Sequence, residues 1–131
     1  MNIEDIIFRG RRWDGVWAYG DLVRLSDGKI CIDSHPFYFD VDPDTVGQYT
    51  GTKDNDGAKI FEGDIIIDKK GYLYKVMWIG NGMYGLRGLK QKKGSFYNFV
   101  GLPAWISEEA RIVGNIHDAL PKSNDERSET K

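Results

Sequence analysis

Short apolar runs, separated by glycine-containing polar turns, repeat along most of this sequence. In residues 72–79 the side chains of one face alternate with those of the other, and both faces are largely apolar. Alternation with a period of two is typical of β-strands, and two apolar faces are typical of a central strand that is covered on both sides. The pattern therefore predicts an all-β protein.

Residues 3–33 are predicted to form a β meander. Asp14-Gly15 and Asp27-Gly28 each separate two apolar segments. Asp-Gly favours a two-residue type I′ hairpin turn, because both central residues of that turn need positive φ. Ala18 is expected to point to the opposite strand face from its aromatic neighbours Trp17 and Tyr19.

Residues 34–45 are interpreted as a connection, because Ser34-His35-Pro36 interrupts the strand pattern. The aromatic residues Phe37, Tyr38 and Phe39 follow. Three such side chains are too apolar to be left in water as a group. Two placements are open: a packed end of the sheet, which patch size favours, or a subunit contact.

Residues 58–90 are predicted to form a compact β unit, and their order of turns and strands is similar to that of a small SH3-type barrel. Ser107-Glu108-Glu109 is expected to cap one helical turn. Arg111–Ile116 is predicted to be a closing strand. The expected fold is all-β with minor helix: a β meander followed by an SH3-like barrel unit.

The length of 131 residues favours one domain, residues 1–120, which can divide into subdomains 1–55 and 56–120. The aromatic share of 13% is high enough to bury a core despite the many glycines. Residues 121–131 contain no apolar run and no periodicity, so they are predicted to be a disordered tail.

The most punctuated stretch of the chain is Asp40–Asp64. Asp42 and Asp44 flank Pro43 and are suited to capping a turn with their carboxylates. Asp54-Asn55-Asp56-Gly57 is a turn cluster, because Asn, Asp and Gly tolerate left-handed backbone geometry. The local prediction is a strand, a polar hairpin and a second strand.

This stretch also carries a family resemblance. It matches the block DP-x-T-V-G-Q-Y-T-G-x-x-D-x-x-G-x-x-I-(Y/F)-E-G-D-I, and so the chain resembles the YopX-like proteins of phages and prophages. Phe8–Gly10, Trp17–Leu22 and Ile112–His117 are similar as well. The resemblance implies a small, β-rich, phage-associated protein and carries over no catalytic residues. Its motif residues are interpreted as structural: Asp42, Pro43, Val46, Gly47, Gln48, Tyr49, Gly51, Asp54, Gly57, Glu62, Gly63, Asp64, Gly114 and Asn115.

Composition limits the classes of function. A net charge of −2 argues against a general nucleic-acid coat or a membrane-surface binder. Cys31 is the single cysteine, so an intramolecular disulfide is impossible and a reducing cytosol is the simplest setting. No apolar run approaches the ~18 residues that span a bilayer, and the acidic N-terminus does not fit a secretory signal. We therefore expect a cytoplasmic protein with no membrane partner, and the resemblance implies that the cell is a bacterial host.

Two motif-like stretches are better explained as turns. Gly80–Gly85 matches the GxGxxG pattern of dinucleotide sites, but no helix start follows it. Asp54–Gly57 is similar to part of a calcium loop, but the first and last ligand positions would fall on Thr52 and Gly63. No cofactor or metal is predicted.

No catalytic constellation is predicted either, so enzyme activity is not expected. Cys31, Asp33 and His35 would share a face of an extended chain, yet a free cysteine in an apolar strand is more often core. His117-Asp118 is interpreted as a solvated strand end. Five further acids are interpreted as caps and turn residues: Asp40, Asp42, Asp44, Glu62 and Asp64.

The best binding candidate is a basic run that ends in aromatic residues: Arg87, Lys90, Lys92, Lys93 and Tyr97. Cations neutralise phosphates and aromatic rings stack on bases, although a solvated loop beside core aromatics explains the same residues more simply. The preferred hypothesis is a non-enzymatic, self-associating interaction or structural module with an unidentified phage or host partner. The alternative is a nucleic-acid-binding module that uses Arg87–Tyr97.

Overall fold

The computed structural model describes residues 2–89 and 98–118. The chain divides into two compact units, Met1–Tyr49 and Thr50–Lys131. The prediction of an all-β fold is confirmed, because the described residues form two antiparallel five-stranded sheets. A 3-10 turn at Ile3–Asp5 precedes the first strand. The predicted tail, residues 121–131, lies outside the described residues.

The first sheet contains β1 (Phe8–Arg12), β2 (Trp17–Arg24), β3 (Ile30–Ser34), β4 (Phe37–Lys53) and β5 (Lys59–Phe61). Each of the first four strands pairs with the next, and β1 also pairs with β4, so these four strands close into a ring. Since a closed ring has fewer free edges, it leaves fewer unpaired backbone groups.

The interpretation of residues 34–45 as a connection is wrong, because most of them belong to β4. The turn at His35-Pro36 places Phe37 directly opposite Ser34, and pairing continues to Asp40 opposite Cys31. The proline therefore reverses the chain into a new strand.

The interior of the ring is small. Ala18, Ile32 and Val41 are buried there, and five partly buried apolar side chains pack against them: Phe8, Leu22, Ile30, Phe39 and Val46. The predicted facing of Ala18 is confirmed, because Ala18 is buried and Tyr19 is exposed. At Gly10 a Cβ would lie 2.7 Å from Cγ2 of Val41, so the approach of β1 to β4 requires glycine.

Four hairpin loops share one geometry. Each is a five-residue stretch whose first and last residues pair through the backbone and whose fourth residue is a glycine with φ between 83° and 90°: Arg12–Val16, Leu25–Lys29, Asp54–Ala58 and Asp68–Tyr72. In this three-residue loop a type I turn is followed by one left-handed residue. The predicted two-residue type I′ turns at Asp14-Gly15 and Asp27-Gly28 are therefore wrong, since only the glycines have positive φ.

The second sheet contains β6 (Asp64–Ile67), β7 (Leu73–Gly80), β8 (Met83–Gly88), β9 (Asn98–Val100) and β10 (Arg111–Asn115), in the order β10-β6-β7-β8-β9. A helical turn forms as predicted, as α1 (Ile106–Glu109), and the closing strand is confirmed as β10. The predicted cap is wrong, because Ser107, Glu108 and Glu109 lie inside α1, whose N-cap residue is Trp105 and makes no side-chain cap bond. Because the closed ring belongs to the first sheet, the SH3-like barrel of the later residues stays a prediction. The described residues include no helix of the length and apolarity that a membrane crossing needs.

The two-sided character predicted for residues 72–79 is confirmed in the first half of β7, the middle strand, whereas Trp78 and Ile79 near its end are exposed. On one face Tyr74 and Val76 belong to a core with α1 and β8, which includes Ile60, Ile66, Leu86, Ile106 and Ala110. On the other face Leu73 packs with Ile65 and Ile67. Burial on both faces is the physical basis of the apolar run as far as Val76.

Candidate functional site

Asp54 connects a hairpin to a distant strand. It is 5% exposed, and its Oδ1 accepts hydrogen bonds from the backbone N–H groups of Asp56 and Ala58, both at 2.9 Å. Its Oδ2 accepts one from the backbone N–H of Ile112 at 3.0 Å. Both carboxylate oxygens are thus engaged by the backbone, as in a structural cap rather than a calcium loop.

Asn55 extends this connection to α1. Its backbone N–H donates to the carbonyl of Ala110 at 2.8 Å, and its Nδ2 donates to the carbonyl of Glu108 at 2.7 Å. The carbonyls at the end of a helix need such donors. The Asp54–Ala58 hairpin therefore clamps the corner between α1 and β10.

Other acids of the Asp40–Asp64 stretch bond their own turns. Asp64 Oδ2 accepts a hydrogen bond from the backbone N–H of Phe61 at 2.7 Å, and Asp42 Oδ1 accepts one from Asp44 at 3.0 Å. Among the described residues, no group of three or more His, Cys, Asp or Glu side chains could hold a metal ion. These carboxylates are arranged as caps.

Gly80–Gly85 forms the β7–β8 hairpin and does not open a helix. Gly80 pairs with Met83, and between them Asn81 and Gly82 have φ of 55° and 73°. Two successive positive φ values are what a type I′ turn needs. This Asn-Gly pair therefore has the turn that had been predicted at the two Asp-Gly pairs.

Cys31 is a core residue, as predicted. It is buried opposite Asp40, and its Sγ donates to Oδ1 of that residue at 3.4 Å. Burial, and then the hydrogen bond to Asp40, raise the pKa of the thiol. Since the thiolate is the nucleophilic form, this environment does not activate Cys31.

His117 and Asp118 lie just beyond β10, in an exposed turn. Asn115 organises this turn, because its Nδ2 donates to Asp118 Oδ2 at 2.7 Å and its Oδ1 accepts from the backbone N–H of His117 at 2.9 Å. The interpretation as a solvated end of the strand is confirmed, and the motif residue Asn115 has a structural part in it.

Only one member of the predicted basic run lies in the described part of the chain. Arg87 is exposed in β8, opposite Lys75 of β7. The other members lie outside the described residues: Lys90, Lys92, Lys93 and Tyr97.

A second set of arginines on aromatic rings was missed from the sequence. The guanidinium groups of Arg9 and Arg11 lie 4.4 Å and 4.7 Å from the centroid of the Trp17 ring. The signal was present: residues 9 and 11 share a strand face, and the β1–β2 hairpin places Trp17 opposite Arg11. Because Arg9 is only 6% exposed, this stacking is part of the packing of the first unit.

Phe37 and Tyr38, here called the hairpin patch, are 62% and 67% exposed. The preference for a packed end of the sheet is therefore wrong for these two residues and right for Phe39, which packs against the interior of the ring. The register supplies the reason: Phe37 lies opposite Ser34, and Tyr38 lies opposite Asp33. Neither ring has an apolar neighbour directly across the hairpin.

Three rings of the second unit form one wall of a cavity of about 370 Å³. The centroids of Tyr74, Phe99 and Trp105 lie 5.7 to 5.9 Å apart, and the ring planes are inclined by 56° to 73°. We call this space the aromatic cavity; it is lined by Asp68, Lys70, Tyr72, Tyr74, Phe99, Trp105 and Glu109. Sequence alternation placed Tyr72 and Tyr74 on one face, but it could not bring in Phe99 and Trp105.

The carboxylate of Asp68 is fixed at this cavity. Its Oδ1 accepts hydrogen bonds from the backbone N–H groups of Lys70 and Tyr72, both at 2.9 Å, and its Oδ2 accepts one from the Tyr74 hydroxyl at 3.0 Å. Glu109, at the end of α1, contributes a second and exposed carboxylate. The cavity thus combines ring surfaces with a preorganised negative charge.

Glu62 is the motif acid whose protonation is perturbed. Burial raises the pKa of its carboxyl, and a hydrogen bond from the backbone of Trp78 opposes this. Burial, and then the charge of Glu62, raise the pKa of Tyr84, whose ring meets Trp78 edge to face at 5.0 Å. Burial is thus the main reason why the carboxyl of half-buried Glu62 holds its proton more tightly than in water.

Comparison with known proteins gives a family. The family model described as YopX protein matches residues 19–120, from β2 to just beyond β10. No curated protein matches the chain. The family match spans well over half of the 131 residues and includes the Asp54 clamp and the aromatic cavity. The chain therefore belongs to the YopX family.

Proposed function

We propose that this chain is a non-enzymatic interaction protein that associates with copies of itself through the hairpin patch. The observation that carries the proposal is the exposure of Phe37 and Tyr38, at 62% and 67%. Neighbouring residues of a strand point to opposite faces, so both faces of this hairpin present an aromatic ring. Large aromatic side chains that remain in water are typical of interaction sites.

A second copy can supply the apolar surface that the hairpin needs. In the same unit, Trp13 and Val16 are 71% and 52% exposed, at the loop between β1 and β2. In a two-fold dimer, the hairpin patch of each copy would contact the Trp13–Val16 loop of the other copy, so the same contact would form twice.

The magnitude fits reversible association. Covering the exposed part of each ring removes on the order of 100 Å² from water, which contributes about 2.5 kcal/mol. Two rings from each of two copies give about 10 kcal/mol, which is comparable with the roughly 4–15 kcal/mol that association costs. Burial of the hairpin patch alone is therefore barely enough to offset the cost of association, and contact with Trp13 and Val16 of the partner copy would supply the additional free energy.

The cellular location of this self-associating protein is part of the same proposal. The resemblance to phage and prophage proteins supports a role in the cytoplasm of a bacterial host cell. An unidentified phage or host protein would be the further partner.

Size-exclusion chromatography with light scattering at micromolar concentration tests the proposal. The unaltered chain is expected to be oligomeric, and Phe37→Ser combined with Tyr38→Ser is expected to be monomeric. Ile3→Ser is the matched control, because Ile3 is also apolar and 84% exposed in the same unit. A monomeric unaltered chain would reject self-association, and an oligomeric double variant would reject the hairpin patch.

A nucleic-acid-binding module is the second candidate. The observation that favours it is the exposed Arg87 opposite Lys75, two cations in adjacent strands. Lys90→Glu with Lys92→Glu is expected to weaken binding of single-stranded DNA or RNA and to flatten its salt dependence. A gel-shift titration at low salt measures both, and the absence of any shift by the unaltered chain would remove this candidate.

A further inference from the structure

We propose that the aromatic cavity binds a small organic cation, of the class of quaternary ammonium groups. The cavity volume of about 370 Å³ lies within the range of roughly 300–1,000 Å³ that is usual for small-ligand sites. All seven lining residues belong to the unit Thr50–Lys131, whereas the hairpin patch belongs to Met1–Tyr49. The two proposals therefore stand or fail separately.

The rings supply the first half of the argument. Tyr74, Phe99 and Trp105 contact one another in tilted or edge-to-face geometry, which uses the edge of one ring against the face of another. Each ring has two faces, and Phe99 and Trp105 are only half-buried. The face of an aromatic ring carries the negative side of the ring quadrupole, which attracts a cation placed over it.

The charges supply the second half. Asp68 and Glu109 place two carboxylates at the cavity, against one ammonium group from Lys70. Asp68 is held by three hydrogen bonds, so its position is set before a ligand arrives. An anion would meet two like charges, and a neutral apolar ligand would gain nothing from either carboxylate charge. A cation with apolar substituents is the chemistry that matches both the rings and the carboxylates.

Choline and its neutral isostere 3,3-dimethylbutan-1-ol separate charge from shape. Isothermal titration calorimetry on the full chain is expected to show choline binding at least about tenfold more tightly than the alcohol. Equal affinity for the two would mean that the cavity selects apolar shape alone, and this would overturn the proposal. Undetectable binding of choline would overturn it as well.

Exposed residues of the rim locate the binding and test its sign. Glu109→Gln is expected to weaken choline binding about two- to fivefold, and Lys70→Gln is expected to strengthen it by a similar factor, because each alters one charge at a solvent-exposed site. Glu108→Gln is the matched control, since Glu108 is the exposed neighbour of Glu109 and does not line the cavity. Circular dichroism confirms that each variant is folded. The site would be refuted if Glu109→Gln strengthened choline binding or Lys70→Gln weakened it. Equal effects of Glu109→Gln and Glu108→Gln would refute it as well.

Discussion

Removing the carboxylate of Asp54 is expected to destabilise the second unit severely. Asp54→Ala deprives three backbone N–H groups of their acceptor. Two of them, on Asp56 and Ala58, belong to exposed residues and can turn to water, so each loss costs about 1 kcal/mol. The third, on half-buried Ile112, is less accessible, and its loss costs about 1.5–3 kcal/mol. The total is about 3.5–5 kcal/mol, a large fraction of the roughly 5–15 kcal/mol that stabilises a domain.

Asp54→Asn separates the contribution of the Ile112 hydrogen bond from that of the two bonds within the hairpin. The amide keeps one carbonyl oxygen for the N–H groups of Asp56 and Ala58, but its NH₂ group would face the N–H of Ile112. We therefore expect a loss of about 1.5–3 kcal/mol, close to half of the alanine value. Asp56→Ala is the matched control: this acid lies in the same loop and is exposed, and a change of less than about 0.5 kcal/mol is expected.

Urea unfolding followed by circular dichroism measures these differences. At a slope of about 2 kcal/mol/M, the alanine variant should unfold at a midpoint about 2 M lower than the unaltered chain. If Asp54→Ala proved no less stable than Asp56→Ala, the clamp would have no energetic role. If asparagine cost much less than half of the alanine value, the assignment of the larger share to Ile112 would be wrong.

Three further outcomes are expected. The pKa of the Glu62 carboxyl is raised above its ordinary value of 4.5 in the folded chain, so just above pH 4.5 the folded chain keeps a proton that the unfolded chain has released. Glu62 therefore lowers the stability of the fold as the pH rises through this window. In thermal melts, the stability of Glu62→Gln should match that of the unaltered chain below pH 4.5 and exceed it at neutral pH. Gly10→Ala should cost about 1–3 kcal/mol through its clash with Val41, and combining it with Val41→Ala should cost less than the sum of the single changes in a double-mutant cycle. Cys31 should react with a thiol reagent far more slowly in the native chain than in denaturant, and equal rates would contradict its burial.

Local chemistry was enough to identify turns and the two-sided strand. Glycines next to Asp or Asn mark the hairpins, because few other residues tolerate positive φ. Yet the same logic misassigned the turn type at Asp14-Gly15, since a type I turn with one left-handed glycine satisfies the backbone equally well. Which loop length forms depends on the register of the flanking strands, and that register is a property of the sheet.

By itself, the sequence determined that this chain is built from antiparallel strands and polar hairpins, that Cys31 belongs to a core and that Asp54 bonds a turn. Period-two alternation and turn chemistry act within a few residues, and so they are legible along the chain. Only the tertiary structure decided that β1 closes a ring with β4, that Phe37 and Tyr38 stay in water, and that Tyr74, Phe99 and Trp105 meet at one cavity. These outcomes depend on strand pairing and packing between segments tens of residues apart, and side-chain period alone does not specify which distant segments meet.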